Sequence, residues 1–291
     1  RTLNVTGTGA LGLTGSGSFC LETAGADIDA CNGLETGPDA EAVATTLTLN
    51  QAGDSTFDGV FAGLGSLEKT GAGTLTLTNT QAFLGGLTVN DGVIATGTNA
   101  TSEPETFGTF ANSLAVTVNT DGQLDLNNVD TFGSLTNFGR VNVNADQTVV
   151  SVDNKAEANA GDGDGLINLR ADMTVGGEFR NDGDIDVIGG DRVLNVGTLT
   201  GAGEIDGNDV SVDPAVKRTL TINQTGASTY AGSITGVLDL VKNGVGTLTL
   251  TGTNAYAGLG RVEAGTLVIG TPAAMDVQND YRVYDQATLR I

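Results

Sequence analysis

The side chains with the greatest chemical capacity in this sequence are carboxylates set two positions apart. Asp162 and Asp164 stand in Gly161-Asp-Gly-Asp-Gly165, and Asp182, Asp184 and Asp186 in Asn181-Asp-Gly-Asp-Ile-Asp186. Carboxylates at alternate positions with Gly between them can converge on Ca²⁺, as oxygen-rich loops do. Neither string matches the twelve-residue EF-hand pattern. The plainer reading is that alternation along a strand or turn places the acids in solvent. Calcium is therefore the one cofactor that the residues suggest, and no other is implied.

The composition removes several chemistries outright. Among 291 residues there is no His, which excludes Ser-His-Asp and Cys-His nucleophiles, His-ligated zinc and imidazole acid–base work. No Ser lies in a GxSxG elbow. Gly161–Gly165 lacks the Lys and the following helix of a phosphate loop. Acidic residues number 35 against 13 basic, a net charge of −22. A polyphosphate partner needs a basic stripe, so nucleic acid is excluded. No apolar run approaches the roughly 18 residues of a membrane-spanning helix. The first residues contain no initiating Met and no signal peptide.

What must hold these residues is a repeat. Thr46 to Gly97 aligns without a gap onto Thr219 to Gly270, an offset of 173, with 25 identities over 52 positions. They include Gly71–Thr78 with Gly244–Thr251, Lys69 with Lys242, and Gly92 with Gly265, while Phe57 and Phe83 exchange for Tyr230 and Tyr256. Upstream, Arg1-Thr-Leu-Asn-Val5 matches Arg192-Val-Leu-Asn-Val196, and the first copy carries 18 extra residues between about Ser16 and Thr45. We expect a module over residues 1–191, with an insertion at about 16–45, and a second, truncated module over 192–291. The two are expected to form one continuous body excised from a longer repetitive protein.

Each module has a shorter rhythm. Gly133-Ser-Leu-Thr-Asn-Phe-Gly-Arg-Val-Asn-Val143, Gly177-Glu-Phe-Arg-Asn-Asp-Gly-Asp-Ile-Asp-Val187 and Gly197-Thr-Leu-Thr-Gly-Ala-Gly-Glu-Ile-Asp206 are variants of one pattern. Each reads as an alternating strand, a Gly or Asn-Gly corner, and a second alternating strand. In Thr74–Thr78 the leucines fall on one face and the threonines on the other. No helical period runs beyond two turns. Short strands with Gly corners could build a sandwich, a barrel or a solenoid. Modular duplication and a cheaply accommodated insertion favour the solenoid. At roughly 20–25 residues per coil the chain would make about 12–14 coils, and at about 4.8 Å per coil a rod of about 60 Å around Leu, Val, Ile and Phe. The Thr faces (Thr46 and Thr48; Thr74, Thr76 and Thr78; Thr247, Thr249 and Thr251) reflect ordinary β-propensity rather than an ordered array.

Leu240-Val-Lys-Asn-Gly-Val-Gly-Thr-Leu-Thr-Leu-Thr-Gly-Thr-Asn-Ala-Tyr-Ala-Gly258, followed by Val262–Gly270, resembles the autotransporter-associated β-strand repeat. Leu67–Gly97 is a second copy. That repeat belongs to passenger domains of Gram-negative type V secreted proteins. The resemblance implies an all-β, right-handed parallel β-helix, exported through the outer membrane and displayed on or released from the cell, its parent anchored by an outer-membrane barrel. The repeat is structural and carries no catalytic residue. In an exported protein Cys20 and Cys31, with ten residues between them, are expected to form a disulfide that staples the insertion. The same insertion carries Glu22, Asp27, Asp29, Glu35, Asp39 and Glu41 with no Lys or Arg, an acidic loop suited to face a partner.

The expected role is a rigid stalk for attachment, aggregation or filament building, its partners being other cells, surfaces, glycans or copies of itself. The alternative is a secreted β-helix enzyme that cleaves polysaccharides, with Asp162, Asp164 and Arg170 brought together. No sequence signature supports that grouping, and paired carboxylates need a separation that sequence does not supply.

Overall fold

The computed structural model describes residues 2–7, 18–20, 22–23, 43–97, 109–156, 165–207, 216, 218–270 and 280–291. Among these residues every regular element is a β-strand, and no helix is long and apolar enough to cross a membrane. The chain divides into two compact units, residues 1–135 and 136–291. Both are parallel β-solenoids.

Alternation in the sequence becomes alternation in burial. Thr74–Leu77 and Thr247–Leu250 each place two leucines inward and two threonines toward solvent. Parallel stacking then sets like on like. In the first unit Thr46–Gln51 lies on Ser66–Thr70, which lies on the start of Leu87–Thr96, which lies on Ala115–Leu126. The register makes a ladder of Leu47, Leu67, Leu87 and Val116, all buried. A second column stacks Leu75, Ile94 and Leu124. In the second unit Val141, Ile167, Ile185, Ile205 and Ile234 form one ladder, and Leu194, Leu220 and Leu240 another. Each fully buried aliphatic side chain contributes about 1.5–3 kcal/mol of transfer free energy.

The coils are less uniform than the expected 20–25 residues. Leu166 to Asp184 spans 18 residues, whereas Leu87 to Val116 spans 29. The described strands make about ten turns rather than 12–14. Chain added between stacked strands carries little entropic penalty.

Two Gly positions in each copy of the repeat explain the corner. Gly71 and Gly244 have φ of +77° and +78°, a region that a side chain strains to enter. At Gly73 and Gly246 a Cβ would sit 2.4 Å and 2.0 Å from the carbonyl oxygens of Gly53 and Gly226 one coil away. Only hydrogen fits between coils at that point.

The inserted segment enters through Ser18–Cys20, parallel to Val60–Gly63, and through Glu22–Thr23, antiparallel to Val43–Ala44. Cys31, Asp27, Asp29, Glu35, Asp39 and Glu41 lie outside the described residues, as do Asp162 and Asp164. No disulfide is found among the described residues.

Replacing Leu248, buried between Ser228 and Leu267, with Ala should leave a cavity and lower unfolding free energy by about 2–5 kcal/mol. Thr249→Val on the neighbouring outward position should stay within about 0.5 kcal/mol. Equilibrium denaturation in guanidinium measures both.

Candidate functional site

The acidic strings separate once the coils stack. Asp182 lies at a corner, where its Oδ2 pairs with Arg180 Nε at 2.6 Å and its Oδ1 accepts from the Ala202 backbone N–H at 3.1 Å. Asp184 and Asp186 lie on the outward side of Asp184–Val187, whose Ile185 and Val187 point into the core. The next coil places Glu204 directly over Asp184 and Asp206 over Asp186. On the coil before, Asn168 underlies Asp186 and donates from Nδ2 to Asn142 Oδ1 at 2.8 Å. Thr235 Oγ1 donates to Glu204 Oε1 at 2.9 Å. Arg170, the basic residue of the enzymatic alternative, donates from Nη1 to Asn142 Oδ1 at 3.2 Å.

Four carboxylates thus share one outer face over two adjacent coils. Partial burial pushes the Asp184 and Asp186 carboxyls above the usual range. The like charges of Glu204 on Asp184, and of Asp206, Asp184 and Glu204 on Asp186, push the same way, while Arg140 pulls Asp186 back. Among the described residues no group of three or more acidic side chains is arranged to hold a metal ion. The first unit has its own raised carboxyl. Asp130 accepts from the backbone N–H groups of Phe110 and Thr131, both at 2.7 Å, yet burial still lifts it to about 6.

Three inward-facing polar devices escape a reading of spacing alone. The first is an amide ladder, in which Asn137 Nδ2 donates to Asn154 Oδ1 and Asn154 Nδ2 to Asn181 Oδ1, both at 2.8 Å. Asn181 Nδ2 then donates to the Tyr230 hydroxyl at 3.1 Å, which donates to the Gly203 carbonyl at 2.8 Å. Asn137 and Asn181 hold the same place in two strand-corner-strand variants, and the third variant has Gly201 there. With no side chain at Gly201, the Tyr230 phenol from the next coil continues the chain of hydrogen bonds. Burial holds that phenol protonated well past its ordinary range.

The second device is a glutamine brace at corresponding positions of the two copies. Gln51 Nε2 donates to the Thr74 carbonyl and Gln224 Nε2 to the Thr247 carbonyl. Ser55 and Ser228 donate back to the respective Oε1 atoms. The third is a pair of lysines, Lys69 and Lys242, both 0% exposed. Each occupies a core position of its strand, between Leu49 and Val89 or between Ile222 and Val262. Their ammonium groups turn to the Gly corner and donate only to backbone carbonyls. Their identity in the two copies was legible, but which way they point was not.

Residues 67–95 and 240–269 match the family model of the passenger-associated-transport repeat. Both Lys69 and Lys242, with their corner glycines, lie inside the matched stretches. These repeats fit a passenger domain of an autotransporter and imply export to the cell surface or the extracellular space. No curated protein and no solved structure matches the chain.

A carboxyl whose folded pKa is raised stabilises the fold below its unfolded value of about 3.9. That contribution is lost as pH rises through the folded value. Asp186→Asn removes the ionised form, so it should raise the melting temperature at pH 7 by about 1–2 °C and leave it unchanged at pH 3. Calorimetric scans at the two pH values check the sign.

Proposed function

We propose that this chain is a stalk segment of a surface-displayed or secreted autotransporter passenger, one that holds its loops at fixed intervals for attachment, aggregation or filament building. The supporting observation is where the two repeat copies agree and where they differ. Gln51, Ser55, Lys69, Gly71 and Leu75 recur as Gln224, Ser228, Lys242, Gly244 and Leu248, all of them core or corner positions. Asp54, Asp58, Glu68 and Asp91 are replaced by Ala227, Ala231, Val241 and Ala264. Duplication has kept the scaffold and let the surrounding charge change, as expected of a spacer whose coils are interchangeable and whose exterior is adapted to context.

Multivalency supplies the mechanism. Weak contacts made by loops on a rigid frame add through effective concentration. The acidic insertion, with Glu22, Asp27, Asp29 and Glu35, is the proposed partner-facing element, and a Cys20–Cys31 disulfide is proposed to restrain it. A net charge of −22 keeps such segments apart at low ionic strength.

Beads coated with the purified chain should be retained on glycan-coated or abiotic surfaces, or should cluster, more than albumin-coated beads do. A variant with residues 24–42 replaced by a short Gly-Ser linker should lose that retention while keeping the parent melting temperature. Release of reducing ends from polysaccharides without any retention would overturn the reading in favour of the enzymatic alternative.

A further inference from the structure

The two lysine corners have one geometry and two electrostatic surroundings. Lys242 Nζ donates to the carbonyls of Asn243 at 2.8 Å, Gly244 at 2.7 Å and Ala264 at 3.2 Å. Lys69 Nζ donates to those of Thr70 at 3.0 Å, Gly71, and Asp91 at 3.2 Å. Two of the three acceptors belong to the lysine's own corner and the third to the following coil. Each ammonium therefore ties one coil to the next. Carbonyl dipoles saturate its three N–H donors, but they do not neutralise its charge.

The charged neighbours differ. Around Lys69, the strand Thr46–Gln51 carries no titratable side chain, and Glu68 on its own strand accepts from Thr48 and Asn90 on the outer face. Asp91 on the following strand and Asp54 at the preceding corner act on the ammonium and favour its charged form. Around Lys242 both carboxylates are missing, because Ala264 and Ala227 stand in their places. The charged groups packed near it are committed elsewhere. Arg218 on Arg218–Asn223 donates to the Gly207 and Gly189 carbonyls. Asp239 and Glu263 lie against Arg261, at 3.6 Å and 3.8 Å.

We propose that the Lys242 corner is a protonation-sensitive seam between coils, looser when its lysine is charged, and that Asp91 and Asp54 tighten the equivalent seam at Lys69. An ammonium taken out of water without a counter-ion raises the free energy of the closed corner. Opening the seam lets water reach the charge, so protonation favours opening and deprotonation favours closure. Burial pushes Lys242 down to about 8, against an ordinary lysine near 10.5. Between those values the opened corner binds a proton that the closed corner does not, and closure strengthens as pH rises. At Lys69 burial also prevails and holds the ammonium below its ordinary value, but the two carboxylates oppose it and weaken the effect. The Lys242 corner of the second copy therefore yields more readily at neutral pH than the Lys69 corner of the first.

Amide hydrogen exchange on the intact chain reads the seam, with rates corrected for intrinsic base catalysis. Amides of residues 242–247 and 263–266 should gain about tenfold in protection between pH 7 and pH 9, while residues 69–74 and 90–93 should gain clearly less. The single exchanges Ala264→Asp and Asp91→Ala test the cause. The first should raise protection at the Lys242 corner at pH 7 and flatten its pH response, and the second should confer that response on the Lys69 corner. Lys242→Met should abolish the response, and the two exchanges decide the matter independently should that variant fold poorly. Equal protection and equal pH response at both corners, or no transfer by either exchange, would overturn the proposal.

Discussion

Parallel stacking requires that whatever points inward on one coil meet its counterpart on the next, and the rest of this molecule follows from that. Where apolar residues meet, as in the ladders of Leu47, Leu67 and Leu87 or of Ile167, Ile185 and Ile205, the buried column is continuous. A polar residue there has no water to turn to, and its partner must be another coil. The Asn137–Asn154–Asn181 ladder answers this demand by repeating itself, with Asn137 donating to Asn154 and Asn154 to Asn181. Where a coil lacks the Asn, at Gly201, the Tyr230 hydroxyl fills the gap.

Corners pose the harder problem, because the chain must turn and its carbonyls are drawn out of the strand pattern. The repeat answers with side chains long enough to reach back. Gln51 and Gln224 brace one corner, and Lys69 and Lys242 cap another with an ammonium group that matches three carbonyls at once. Glycine keeps the coils close enough for these bonds to form. A buried polar group left without a partner costs about 1–3 kcal/mol, so these devices are structural requirements of the turn.

The exterior obeys weaker rules. Carboxylates tolerate stacking on one another, as Asp184 does on Glu204 and Asp186 on Asp206, because solvent still reaches them. The penalty appears as carboxyls that hold their protons more tightly than usual. The same freedom lets charge drift around the repeat while the Gln, Lys and Gly of its corners stay constant. A scaffold indifferent to its surface suits a protein that spaces and presents.

Read residue by residue, the sequence determined the strands, the corners, the parallel coil and the two repeat copies. Leu-Thr alternation, glycines and an offset of 173 are local or self-referential signals that need no partner to be seen. The coil count was less accessible, since the spacing between stacked strands varies from 18 to 29 residues. The candidate site was legible only as a list of residue types. Asp182, Asp184 and Asp186 look alike in sequence, yet the fold gives the first to Arg180 and sets the other two against Glu204 and Asp206. Lys69 and Lys242 stand in the sequence only as an identity between the two copies, and stacking is what turns them inward onto carbonyls of their own corner and the next coil. Which groups meet across coils depends on register between segments about 20 residues apart, and only the folded chain sets that register, through the packing of every rung beneath it.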